Sequence, residues 1–327
     1  MENQNVYQKP VTLKNILKFA VPTIAMSVFM SFYTMVDGLF VSNLIGTNAL
    51  SAINLTAPVI QLVTAISTML ATGGSAVIMK KMGEQKNEEA KEDFTFLILV
   101  NVLAGLVMCG LGYPVMHCVF AGMNLSAEVA GYCVEYLSRY LMFTVSILLM
   151  NNFTLYMIAG GKASLSFICS AAGGVLNIVL DYILIAVCDM GISGAAVATG
   201  LGYSVTAVVG LFVFSRKKSL LHFKKPVFRF KVLVNASANG CSEMATALVT
   251  GVITMMFTAL SNGIVSDVLA FSRSFVFMLV MMLALPAIFG VNGIWLATPA
   301  AELMALALSA MMFRKYKKRY GYGRSTG

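Results

Sequence analysis

The chain has 327 residues, 58% of them hydrophobic and only 11% charged, with a mean hydropathy of +0.82. Soluble domains carry about 25% charged residues, so this composition excludes a soluble enzyme or binding module and describes an integral membrane protein. The formal net charge of +9 would suit a nucleic-acid partner if it were spread over one surface. Instead Lys and Arg stand in short clusters between apolar runs, which excludes nucleic acid and leaves the lipid bilayer as the first partner.

A membrane-spanning helix needs roughly 20 apolar residues. The sequence predicts spans near 15–40, 50–79, 93–116, 127–157, 163–187, 191–214, 234–260, 269–289 and 293–313. The first run is too long for a cleavable leader and is followed by further spans rather than by a soluble chain. The N-terminus holds Lys9, Lys14 and Lys18. Lys80, Lys81, Lys86 and Lys91 follow span two, and Arg216, Lys217, Lys218, Lys224, Lys225, Arg229 and Lys231 follow span six. The intervening loops VSNLIGTNA, FAGMNLSAE and CDMG hold no Lys or Arg. This alternation puts the N-terminus and the basic loops in the cytoplasm, so a basic loop is read first as a topology signal and second as a lipid contact.

The six cysteines, at 109, 118, 133, 169, 188 and 241, form no CxxC pair and fall in or beside apolar runs. They are read as buried thiols acting as small hydrophobes. His117 and His222 have no metal-ligand partner at helical spacing, and HExxH, Walker and GxSxG motifs are absent. The expectation is a non-enzyme with no cofactor and no transition-metal site.

Two segments repeat. MGISGAAVAT at 190–199 and FGVNGIWLAT at 289–298 align Gly191, Gly194, Ala198 and Thr199 with Gly290, Gly293, Ala297 and Thr298, and each runs through an apolar stretch into a basic cluster. AGGKAS at 159 and SNGIVS at 261 form a weaker pair, as do KNILKFAVP at 14 and KVLVNASAN at 231. Repeated bundles are a recurrent plan of secondary transporters, whose sites lie between or within the repeats near midplane. The second copy is shorter by about three spans' worth of chain at roughly 20 apolar residues each. An odd number of spans would also put the basic tail RKYKKRYGYGR outside, against its charge. Residues 232–262 are therefore read as one helix fused from the start of one ancestral span and the end of another, joined between about 245 and 258.

VPTIAMSVFMSFYTMVDGLFV at 21–41, LNIVLDYIL at 176–184, GISGAAVAT at 191–199, NGCSEM at 239–244 and FGVNGIWLATPAAE at 289–302 together resemble the multidrug and toxic compound extrusion (MATE) family. The resemblance implies an all-α polytopic membrane protein, with a six-helix N-terminal lobe over 1–215, a basic cytoplasmic linker over 216–231 and an incomplete second lobe of about three helices over 232–327. It implies a monomer in a bacterial cytoplasmic membrane that exports small cationic amphipathic compounds in exchange for Na⁺ or H⁺. The shortened second lobe motivates one alternative, a non-transporting remnant. A lipid-linked sugar flippase of the same superfamily is another, disfavoured because mid-membrane cations are few beyond Arg139 and Arg273.

Ionised side chains at mid-bilayer cost about 2.5–3.5 kcal/mol each on insertion scales, so they are rare without a use. Asp37 lies toward the outer end of span one, Asp181 in span five and Glu243 near the start of span seven. Asn177 and Asp181 are four apart and project from one helix face. The resemblance maps a first-lobe cation site onto Asp37, Asn177, Asp181 and Thr199, and a second-lobe acidic position onto Glu243. Oxygen ligands suit a hard cation such as Na⁺, and paired carboxylates suit proton exchange; both remain open. The plainer reading for Asn177 and Thr199 is hydrogen bonding between helices. Asp189 is read as an exposed loop residue, and Glu135 as the partner of Arg139 one turn away. The Met and Phe residues, 23 and 21 in number, are read mainly as lipid-facing or packing groups.

Overall fold

The computed structural model describes residues 35–121, 126–217 and 219–260, with a few single positions beside them. The helices follow in order: α1 (Met35–Leu44), α2 (Thr47–Leu55), α3 (Ala57–Gly83), α4 (Asn87–Ala121), α5 (Ala127–Met142), α6 (Thr144–Ala159), α7 (Ala163–Asp181), α8 (Gly191–Ser215) and α9 (Phe230–Leu260). No strand occurs among the described residues. The architecture is all-α and polytopic, a helical first lobe with an incomplete second one. Four helices, α3, α4, α7 with its continuation to Val187, and α8, are long and apolar enough to cross a bilayer, and the α5–α6 pair can supply a fifth. Most of the expected span 15–40, and spans 269–289 and 293–313, lie outside the described residues.

Two expected spans differ from the structure. The run 50–79 divides into α2 and α3 at Thr56, because Pro58 supplies no amide to continue the ladder and Thr56 Oγ1 donates to the Ile53 carbonyl at 2.6 Å instead. The run 127–157 bends by 57° between α5 and α6. No proline stands there; the Thr144 hydroxyl donates to the Leu141 carbonyl and competes with the backbone at the bend.

Two buried apolar clusters fill the bundle. One joins Val41, Leu50, Leu137, Ile147, Leu148 and Ile192. The other, at the end of the bundle that carries the basic segment, stacks Phe94, Phe153, Tyr156, Phe214 and Phe223, with Phe94–Phe223 ring centroids 5.4 Å apart. Phe223 lies between α8 and α9, so the basic segment plugs this end of the bundle. Between the clusters, Asn101 of α4 and Asn152 of α6 exchange amide hydrogen bonds of 3.2 and 2.8 Å, both side chains fully buried.

Helix α9 continues without a break through the expected fusion point and packs lengthwise on α3. Bare backbone lets the helices touch: Gly73 faces the Ala236 carbonyl, Gly240 faces the Met69 carbonyl, and a Cβ on Gly251 would stand 2.7 Å from Gln61 Cβ. Arg229, one residue before α9, holds the start of this helix by donating to Asp93 and Glu92 of α4 at 2.8 Å each. Asp93 is fully buried and also pairs with Lys81.

The cysteine expectation is only partly met. Cys133 and Cys169 are buried and Cys109 half-buried, but Cys188 and Cys241 are exposed on the chain's surface, where a thiol in lipid contact needs no pocket.

Candidate cation site

The site begins with a helix crossing. α7 and α8 meet at Gly173 and Gly202, where a Cβ on Gly202 would stand 2.8 Å from the Gly173 carbonyl oxygen and 3.1 Å from Asn177 Cβ. Only bare backbone permits this approach, and it sets Asn177 of α7 against Thr199 of α8. Asn177 Nδ2 donates to Thr199 Oγ1 at 3.4 Å, and the two are 1% and 5% exposed. Gly200 widens the same seam on its other side by leaving room for the Phe143 ring.

Asp181 lies one turn beyond Asn177 and is fully buried. There the helix changes form: residues Tyr182–Val187 continue as a π-helix, the wider winding that often marks functional positions. The chain then turns through Asp189, which is exposed and adopts a left-handed φ of 53°, as expected of a loop residue.

Asp37 of α1, half-buried, comes close enough to Asp181 for the two carboxyl groups to act on each other. Apart from that contact, neither Asp181 oxygen receives a hydrogen bond from a described residue, and Asn177 Oδ1 has no donor either. A buried oxygen without a donor carries a desolvation cost of several kcal/mol for a charged group. Three such acceptors one helical turn apart on α7, with a second carboxyl beside Asp181, are hard oxygens whose chemistry suits a small cation or a shared proton. Four of the sequence-derived candidates, Asp37, Asn177, Asp181 and Thr199, are thus brought together. Glu243 is not: it is exposed on α9, which packs on α3 and α2.

The structure adds groups that the sequence reading passed over. Tyr136 of α5, 5% exposed, lies within charge range of both Asp37 and Asp181, with Tyr140 and Tyr203 close by. Tyr132, Tyr136 and Tyr140 recur every four residues, a one-face stripe that could have flagged them. Glu135 also departs from expectation: it accepts a hydrogen bond from Ser193 Oγ at 2.6 Å, and among the described residues no carboxylate forms an ion pair with the exposed Arg139. Among those residues no cluster of His, Cys, Asp and Glu could hold a transition metal.

The MatE family model matches residues 22–183, a stretch that carries Asp37, Asn177 and Asp181. Over that stretch the chain matches the MATE family. Among its relatives, the multidrug export protein MepA of Staphylococcus haemolyticus is 24% identical over 217 residues, covering 66% of this chain and 48% of that one. MepA of Staphylococcus saprophyticus is 23% identical over 266 residues, covering 79% and 59%. This chain therefore spans about half the length of the curated relatives it matches. A MOP superfamily transporter from Pyrococcus furiosus superposes with a TM-score of 0.74 at 19% identity, covering 99% of this chain and 77% of that structure. An outward-facing multidrug-resistance MATE transporter gives 0.74 and 19%, covering 95% and 70%. These likenesses establish the fold of this multi-pass membrane protein, with its second lobe incomplete.

Proposed function

We propose that this MATE-family chain is a cation-coupled antiporter of the cytoplasmic membrane, exchanging Na⁺ or H⁺ for small cationic amphipathic compounds. The observation that carries this reading is the half-buried Asp37 set against the fully buried Asp181, with Asn177 and Thr199 at its side. Two carboxyl groups this close favour binding a cation or keeping one proton between them. Either species, released to one side of the membrane, can drive an opposing flux. In this reading residues 1–215 form the coupling lobe, 216–231 the linker and 232–327 the shortened second lobe. The relatives' printed role as multidrug export proteins supports the substrate class. The test is export of a fluorescent organic cation from proteoliposomes under a Na⁺ or H⁺ gradient. Parent activity that is lost in both Asp181→Asn and Asp37→Asn supports the proposal, whereas unchanged export in both variants overturns it.

A second reading rests on the lengthwise seam between α9 and α3. A helix with backbone-to-backbone contacts along its length has little freedom to swing away, and the second lobe is short. In that reading the chain binds the cation without exporting anything. Cation binding by purified protein that shows no gradient-driven export would select it.

A further inference from the structure

The cytoplasmic end of the first lobe holds two cations with no acid between them. Lys162 stands in the turn between α6 and α7, and Arg216 follows the last residue of α8. Burial, and then the nearby Arg216 charge, push the Lys162 ammonium below its ordinary value. Lys162 Nζ donates to Ser219 Oγ at 3.1 Å, and the Ser219 amide donates to the Arg216 carbonyl at 3.0 Å, so the turn after α8 is tied to the turn before α7.

The acids of this face are engaged elsewhere. Glu88 and Glu92 pair with Lys224, Glu92 and Asp93 with Arg229, and Asp93 and Glu89 with Lys81. Among the described residues no carboxylate makes an ion pair with Lys162 or Arg216. The sequence from Arg216 to Lys231 contains no Asp or Glu. Two like charges held together by the fold, without a counter-ion, call for an anion.

We propose that Lys162, Arg216 and Ser219 form a phosphate site at the cytoplasmic face, filled by the headgroup of an anionic phospholipid. Arg216 offers the forked donors that match phosphate oxygens, and Lys162 adds a point charge. Ser219 accepts from Lys162 and so keeps its own O–H free to donate. The site stands where two membrane-crossing helices, α7 and α8, reach the cytoplasmic surface, at the depth of lipid phosphates. Leu220, 46% exposed beside it, turns an apolar side chain to the same surface.

The test uses the full chain in phosphatidylcholine nanodiscs doped with phosphatidylglycerol, with retained phosphatidylglycerol counted by native mass spectrometry. Lys162→Gln/Arg216→Gln is expected to lower retention about 25-fold, each basic group near an anionic surface being worth about fivefold. Lys225→Gln/Lys231→Gln, the same charge change at the other end of the linker, is expected to lower it by clearly less, because neither ammonium lies beside Ser219. Lys162→Arg keeps retention at the parent level. If the double variant does not fold, Lys162→Gln alone carries the test with a loss of about fivefold. A parallel arm uses pure phosphatidylcholine and inorganic phosphate, read as protection against thermal melting. Protection that disappears in the Lys162→Gln variants but not in Lys162→Arg keeps the site and assigns it to free phosphate. Equal losses in the two double variants, or no preference for either anion in the parent, overturn the proposal.

Discussion

Replacing Gly202 by Ala tests how the helix crossing serves the cation cluster. The added Cβ would stand 2.8 Å from the Gly173 carbonyl oxygen, whereas ordinary contact begins at 3.4 Å, so α7 and α8 must part by about 0.6 Å. Backbone lies on both sides, and no side-chain rotation relieves the clash. The Asn177–Thr199 hydrogen bond, already 3.4 Å long, would stretch to about 4.0 Å, beyond hydrogen-bond reach. Overpacking costs about 1–3 kcal/mol, and an interhelical hydrogen bond in a membrane protein adds about 0.6. Ligand positioning lost at this distance lowers cation affinity on the order of tenfold, as for other groups that orient a binding shell. Thermal melting in detergent reads the first effect, and radiolabelled Na⁺ binding or proton release reads the second. Gly173→Ala, whose Cβ would approach the Gly202 carbonyl more closely still, is expected to be worse on both. Parent-like melting together with parent-like cation affinity in Gly202→Ala would refute the reasoning.

Three further outcomes are expected. Asn101→Leu or Asn152→Leu leaves the partner amide buried without its mate and costs about 1 kcal/mol, while the double Leu variant melts close to the parent; a double variant that melts as low as the sum of the singles contradicts this. Glu88 is held at about 2, below its usual 4.5, by Lys91 and then Lys224. A depressed acid stabilises docking above its unfolded value, so hydrogen-exchange protection of the linker around residues 221–229 should persist down to about pH 4.5 and fade as pH drops toward 2; protection that is flat across that window would count against the ion pairs. Arg229→Gln leaves the buried Asp93 with Lys81 alone and is expected to cost about 1–3 kcal/mol, seen as lower melting and faster exchange in the first turns of α9.

The helical class and the runs at 93–116, 163–187 and 191–214 were legible in the sequence, as was the shared helix face of Asn177 and Asp181. Those features depend on apolar run length and on i,i+4 spacing, which are local. The breaks were hidden for a different reason: Thr56 and Thr144 interrupt runs whose hydropathy stays high, so composition alone joins α2 to α3 and α5 to α6. The place of Tyr136 in the cluster depends on α5 packing against α8 and on the approach of Asp37, contacts between segments far apart in the chain. The linker's basic character was plain in the sequence. Which of them pair with α4 follows from the path between α8 and α9, since Lys224 and Arg229 meet Glu88, Glu92 and Asp93 only once Phe223 is seated in the aromatic cluster.

In the proposed function the first lobe holds a cation or a shared proton between Asp37 and Asp181, whatever the second lobe can do. Equilibrium binding of radiolabelled Na⁺ to the purified chain, run beside proton release measured in weakly buffered solution, tests it without requiring transport. The expected result is a single saturable site for one of the two ions that disappears in Asp181→Asn and in Asp37→Asn, with both variants still folded by gel filtration. Identical binding and release in the parent and both variants would contradict it.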